Sequence, residues 1–437
     1  MSLSKFSVSK IINSRFFSSL RLPLYRNGLA LVISMVATSG LGLLYWALAA
    51  RNFSPSVVGI NTAILSAMMF LSHISQFGLV NFLHRFLPKA GDQTTRIILV
   101  SYAINVFIGL IASIIFVLGL RIWSPTLISL QENPWLFVSF LLATALWSIF
   151  ALQDGVLVGL RQTVWVPVEN AIFALAKIGL LLLFANFFVD YGVFASWNVP
   201  VIAICLIINW GIFKIVVPKH VKENDAEVFP LRDMAKFVGA DYLSTLVWMV
   251  TIDLMPLIII EKVGAEANAF FYLPWTIASS IYLVSRSFGM SLTVEAAKDS
   301  TLLVEYSRHS LMQTASMLIP IILVILIGAD WILRIFGAQY AGEGAGLLRL
   351  LALATLPNAL TTLYISISRV QRKVFRIAVI LTFLCVLIIS FTLLWLERFG
   401  LISVGWAWLV SETIVAGVLL CTDFRKILFP VKDNNIR

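Results

Sequence analysis

Residues 51–63 read R-N-F-S-P-S-V-V-G-I-N-T-A, and 210 positions later residues 261–273 read E-K-V-G-A-E-A-N-A-F-F-Y-L. Each stretch follows a long apolar run. Nearby, Q-F-G-L at 76–79 faces S-F-G-M at 287–290, one residue out of step with that offset. Each match is weak by itself. Together they point to a duplicated helical unit, the organisation expected of a secondary transporter.

Composition sets the solvent around that unit. Of 437 residues, 60% are hydrophobic and 12% charged, whereas a soluble globular chain carries about 25% charged residues. The charges cluster, and the runs between them are long enough to cross ~30 Å of hydrocarbon. The runs fall near 28–50, 57–80, 97–119, 135–158, 164–188, 199–217, 238–260, 268–290, 309–329, 345–368, 375–396 and 401–421. The expected fold is an all-α polytopic membrane protein with twelve transmembrane helices. The longest polar connection, 218–237, divides it into two pseudo-symmetric six-helix lobes, 28–217 and 238–421, with a cytoplasmic or interfacial segment at 1–27 and a C-terminal tail at 422–437. The basic N-terminus and W-A-L-A-A at 46–50 imitate a signal peptide, but the apolar run is too long for one and reads as a retained first helix.

Basic residues orient the helices. The N-terminus, the even-numbered connections and the C-terminus hold 24 of the 32 lysines and arginines; the odd-numbered connections hold six, and Lys177 and Arg286 fall within spans. This bias places both termini in the cytoplasm, across a cytoplasmic (inner) membrane. The net charge of +10 then reflects topology and anionic lipid. Arg369, Arg372, Lys373 and Arg376 are expected to hold the anionic leaflet; no nucleic-acid partner is expected.

An ionisable residue inside an apolar helix is a functional candidate by default. Lys177 interrupts A-I-F-A-L-A-K-I-G-L-L-L-L-F at 171–184, roughly 20 Å along its helix at 1.5 Å per residue. Two readings stay open: a substrate-facing lysine, with Glu169 on the same polar stripe, or a lysine that snorkels or pairs with Asp154 of the fourth helix. Asp253 sits three residues before Pro256 in M-V-T-I-D-L-M-P-L; a carboxylate beside a proline-freed carbonyl suits a coupling or gating site, and a buried kink is its alternative. Glu412 is a second isolated carboxylate, read as pairing helices or as part of coupling. Arg26, His73 and Arg286 lie toward the cytoplasmic ends of their helices, at a substrate entrance or against lipid phosphate.

Other chemistries find little support. Cys205, Cys385 and Cys421 lie far apart in separate runs, and the four histidines form no ligand cluster, so no metal site is expected. No nucleophile–base constellation appears, and G-A-G-L-L-R-L at 344–350 lacks G-K-[ST]. The chain is not expected to be an enzyme, and no cofactor is expected. The loop after the second helix lacks the G-x-x-x-D-R-x-G-R pattern of major facilitators, so twelve helices do not imply that fold.

At L-A-A-R-N-F-S-P-S-V-V-G-I-N-T-A (48–63) and F-G-L-V-N-F-L-H-R-F-L-P-K (77–89) the chain resembles the polysaccharide transporter branch of the multidrug/oligosaccharidyl-lipid/polysaccharide (MOP) flippase superfamily. The matching residues are Arg51, Ser54, Pro55, Gly59, Gly78, Leu79, Arg85, Leu87 and Pro88, and Asp253 resembles an acidic position of that branch. The motifs cover the first fifth of the chain.

The resemblance implies two six-helix lobes around a central cavity that opens alternately to each side. The implied cargo is a polyprenyl-diphosphate-linked oligosaccharide for surface polysaccharide biosynthesis, with a glycan polymerase or glycosyltransferase as partner. Lys177, Arg26, Arg286 and His73 are then expected to meet the headgroup. Asp253, Pro256, Asp154 and Glu412 are expected in coupling or gating, driven by H+, Na+ or the membrane potential. Two alternatives stand beside it: drug or organic-cation efflux within the same superfamily, and a non-transporting scaffold of a glycan assembly complex. A cationic cavity favours the first reading, an anionic aromatic one the second, and a closed interior the third.

Overall fold

The computed structural model describes residues 39–223, 231–298, 300–422 and 424. Arg26, the 1–27 segment and nearly all of the 422–437 tail lie outside the described residues. The described chain is helical throughout, with short 3-10 and π turns between and within its long helices. In chain order the long helices are α1 (39–52), α2 (Pro55–Gln76), α3 (Thr94–Leu118), α4 (Pro134–Gly159), α5 (Trp165–Phe184), α6 (Gly192–Gly211), α7 (Leu231–Val263), α8 (Ala265–Lys298), α9 (Leu303–Arg334), α10 (Ala338–Val370), α11 (Val374–Phe399) and α12 (Ile402–Leu420). Among the described residues, nine helices are long and apolar enough to cross a membrane: α2 to α6 and α9 to α12, with minor differences of bounds. The protein is a multi-pass membrane protein.

Local chemistry starts and stops these helices. Ser54 caps α2, its side chain accepting from the Val57 N–H, and Pro55 occupies the first turn, where a missing donor costs nothing. Asn133 and Pro134 start α4 in the same way. Gly78, at φ +74°, lets the chain turn from α2 into the short helix Leu79–Phe86. Helix α6 continues through a π turn at Ile212–Val216 into Val217–Glu223, and α7 begins at Leu231, so helix extends into both ends of the 218–237 connection.

Pro256 sits inside α7, which runs unbroken from Leu231 to Val263. Pro200, Pro274, Pro320 and Pro357 also sit inside continuous helices. Each removes one N–H, but without competing water the remaining ladder has no better partner than itself.

Neighbour relations repeat along the chain. Helix α2 packs on α3 and α4, α3 on α4, α4 on α5 and α6, and α5 on α6; likewise α8 packs on α9 and α10, α9 on α10, α10 on α11 and α12, and α11 on α12. The two sets meet where α2 packs against α7 and α8. Burial follows this plan: 67% of the apolar window of α2 is buried and only 22% of that of α11. Phe107, Leu206, Trp331 and Phe375 stand exposed on outer helices, a surface suited to lipid.

Candidate functional site

The contact between the two sets begins at a glycine. A Cβ on Gly59 of α2 would fall 1.7 Å from the Ala265 carbonyl oxygen at the start of α8, so only glycine lets these backbones approach. Asn268 closes the same junction, its Nδ2 donating to the Gly59 carbonyl (2.7 Å) and to Thr62 Oγ1 (3.1 Å).

Around this junction Arg51 and Glu261 make reciprocal reaches. Arg51 Nε, at the end of α1, donates to the Ile335 carbonyl beyond α9 (2.8 Å). Glu261 Oε1, near the end of α7, accepts from Ser124 Oγ (2.7 Å) and the Thr126 N–H (3.0 Å) beyond α3. Position 335 lies 210 residues beyond 125, midway between those two donors. The repeat offset thus relates both anchors and both targets, and this end of the α2–α7–α8 contact is closed.

Toward the other end of α2 an ion-pair contact joins the two sets. His73 Nδ1 lies 2.6 Å from Asp253 Oδ2, joining α2 to α7. Beyond this pair a cavity of about 180 Å³ is lined by His73, Gln76, Gly78, Val80, Asn81, Leu246 and Met249. A larger cavity of about 370 Å³ opens between α7, α8, α10 and α11; Trp248, Trp275 and Tyr282 form aromatic walls, and Arg286 and Arg369 supply its charge. No carboxylate is among its described lining residues, and neither arginine has an ion-pair partner among the described residues. Two exposed guanidinium groups lining one cavity have the chemistry to bind a phosphate or carboxylate in bidentate fashion.

Behind this cavity Glu412 of α12 is fully buried. Its oxygens accept from Asn358 Nδ2 (2.8 Å) and Thr361 Oγ1 (3.3 Å), both on α10. It joins two helices through neutral donors.

Lys177 lines neither cavity. Its ammonium lies 4.0 Å from the Trp197 ring centroid, 4.8 Å from Tyr45 and 5.0 Å from Phe173, and the residue is only 7% exposed. Trp147 and Phe150 pack against the same rings. No ion pair joins Lys177 to Asp154 among the described residues. A desolvated cation over aromatic faces gains about 2 kcal/mol or more, so rings stand where the paired reading placed a carboxylate. Asp154 instead lies beside Asn170 and near Glu169.

The motif residues divide by position. Ser54 and Pro55 begin α2, Gly59 and Arg51 sit at the junction, and Gly78 turns the chain. The Arg85 guanidinium lies 5.5 Å from the Phe86 ring, and Pro88 belongs to the 3-10 turn Leu87–Lys89. Sequence reading missed Arg369 as a cavity residue because a basic helix end looks alike whether lipid or a cavity faces it. It also missed Trp248, Trp275 and Tyr282, whose convergence no local pattern signals.

The fold is shared with solved transporters. An inward-facing multidrug resistance MATE family transporter of the MOP superfamily matches with a TM-score of 0.64 at 13% identity, over 89% of this chain and 94% of that one. The lipid II flippase MurJ, in an inward closed conformation, matches at 0.66 and 14% identity over 92% and 90%. A MOP superfamily transporter from Pyrococcus furiosus, described by the reverse polarity of its binding pocket, matches at 0.59 and 12% over 90% and 94%. At these identities the likeness concerns the fold. No protein-family model and no curated protein matches the chain.

Proposed function

We propose that this protein is an alternating-access transporter of an anionic amphiphile, with a polyprenyl-diphosphate-linked oligosaccharide as cargo. The observation that carries this reading is the Arg286–Arg369 cavity, cationic and aromatic with no lining carboxylate among the described residues. The diphosphate meets the guanidinium groups, the sugars meet the Ser, Thr and Asn side chains of α8 and α10, and the polyprenyl tail stays in lipid. The architecture is twelve spans in two six-helix lobes, supported by the repeated neighbour relations and the 210-residue offset of the Arg51 and Glu261 contacts. The 24 to 6 basic bias supports a cytoplasmic membrane with both termini inside. The Gly59 junction then lies on the outer side, and the cavities open inward. His73–Asp253 spans the lobes as the gating pair.

A second reading is drug or organic-cation efflux. Several solved multidrug transporters share the fold, which favours it, whereas the charge of the larger cavity opposes a cationic cargo. The fold accommodates such a reversal, since the Pyrococcus furiosus transporter is described in those terms.

Purified protein in proteoliposomes separates the readings. Movement of a defined lipid-linked glycan, abolished by Arg286→Ala with Arg369→Ala, supports the first. Movement of an organic cation but not of the glycan lipid overturns it in favour of the second. Movement of neither, in protein that melts cooperatively, removes transport of both cargoes.

A further inference from the structure

Helix α12 contributes none of the described lining residues of the larger cavity, yet it holds two of its walls from behind. Trp408 of α12 is fully buried against Trp275 of α8, with ring centroids 4.6 Å apart. One turn later Glu412 grips Asn358 and Thr361 of α10, both of which line the cavity. The two helices sit close together, since a Cβ on Gly405 of α12 would fall 2.8 Å from the Leu350 Cβ of α10.

The Asn358 amide has two chemically different ends. Its Nδ2 can only donate, so Glu412 Oε1, 2.8 Å away, accepts from it whatever the protonation of the carboxyl group. Its Oδ1 is thereby turned away from Glu412, where Thr362 Oγ1, from another lining residue, donates to it at 3.3 Å. A carbonyl oxygen has two lone pairs, and Thr362 occupies one of them. Without Glu412 the amide could turn over and present donors where an acceptor now stands. Joining α10 to α12 does not by itself call for a buried carboxylate, because well-packed apolar side chains join helices at least as well. Fixing the direction of an amide does call for one.

We propose that Glu412 is a positioning residue for cargo recognition: it holds the Asn358 amide so that the cavity offers an acceptor and selects a headgroup carrying a hydrogen-bond donor, a sugar hydroxyl or amide N–H. Arg286 and Arg369 take the anionic group, and Asn358 Oδ1 takes the donor, so one headgroup is read by two opposite chemistries. An acceptor on this wall also rejects a second phosphate, which has only acceptors to offer it. The inference rests on the glycan-lipid reading. It gives Glu412 a task that needs hydrogen bonding and no ion exchange.

The test measures equilibrium binding to the full-length protein in lipid nanodiscs with two probes, a polyprenyl diphosphate without sugar and the same lipid bearing a neutral hexose. Glu412→Met is expected to weaken binding of the sugar-bearing probe roughly tenfold relative to the bare diphosphate, the effect of one oriented hydrogen bond. Glu412→Gln is expected to stay within about threefold of the unaltered protein in binding and in transport. Its amide oxygen still accepts from Asn358, and its N–H groups donate to Thr361, whose own hydrogen then goes to the Pro357 carbonyl. Asn358→Ala is expected to show the same selective loss, with no further loss when Glu412→Met is added. Equal losses for the two probes, or additive losses in the double variant, would reduce Glu412 to a helix joint and overturn the proposal. Transport abolished in Glu412→Gln with binding intact would overturn it in favour of ion coupling. Should Glu412→Met fail to fold, Glu412→Ala is read by the same ratio. Binding of the bare diphosphate with no gain from the sugar overturns this proposal alone; binding of neither probe by the unaltered protein removes the cargo reading, and the proposal falls with it.

Discussion

The two halves of the molecule repeat the same helix neighbours and yet do opposite things with their interiors. In the second half, α7, α8, α10 and α11 enclose an open cavity bearing Arg286 and Arg369. In the first half, Tyr45, Phe173 and Trp197 cover Lys177, and Trp147 and Phe150 pack behind those rings. Helix packing tolerates either outcome, because outer helices are held by backbone approach and small contacts while interior volume is set by a few large side chains. One cation is offered to a ligand and the other is covered. The lesson is that a charge in a span acquires a role from what lies opposite it.

The comparison breaks most completely if the halves are kept from meeting. Gly59→Leu places carbon atoms where the Ala265 carbonyl stands. Transport is expected to fall to background while insertion persists, and a cysteine at Ala265 is expected to become reactive from the far side of the membrane. Normal transport by this variant would show that the junction does not have to close.

Next in size are the cavity arginines. A charge-assisted hydrogen bond contributes about 1.5–3 kcal/mol, so Arg286→Ala with Arg369→Ala is expected to weaken diphosphate-lipid binding roughly 100-fold, as read by equilibrium binding. Lys177→Met sharpens the contrast. Replacing a buried charge by an apolar residue of similar length is often neutral or stabilising, so transport is expected to stay within about threefold and melting to hold or rise. Severe loss of transport at unchanged melting would return Lys177 to the cargo path and erase the distinction between the halves.

The smallest effects belong to the reciprocal anchors. Arg51→Gln removes one charged hydrogen bond, and Glu261→Gln takes the charge from the two that Glu261 accepts, at a cost of about 1 kcal/mol per variant. Thermal melting is expected to shift by similar amounts in the two variants. Markedly unequal shifts would mean that the repeat relates the contacts in geometry but not in strength.

Much of this was legible in the chain. Apolar runs and clustered charges predict a helical membrane protein, and the 51–63 and 261–273 stretches locate the residues that meet across the halves. Arg286 and Asp253 stand out because a charge in an apolar run has no local reason to be there. What escaped depends on distant convergence. Tyr45 and Trp197 lie 152 positions apart and meet only through the packing of α1 and α6, so nothing near Lys177 announces its cage. Asn358 is an ordinary amide until α10 and α12 bring it beside Glu412. Arg369 belongs to a basic cluster whose sequence is equally suited to lipid phosphate.

The bare backbone contact at Gly59 has a mechanical consequence. With no side chain between the Gly59 and Ala265 backbones, and Asn268 bridging beside them, the contact can act as a fulcrum placed near one end of a lever. From Gly59 to Gln76 the lever arm is about 26 Å at 1.5 Å per residue. A rocking of about 10° therefore sweeps the far end of α2 through 4–5 Å, roughly the width of a methylene chain, while the fulcrum itself moves hardly at all. Small rotation at a tight pivot becomes a gate-sized opening at the opposite face.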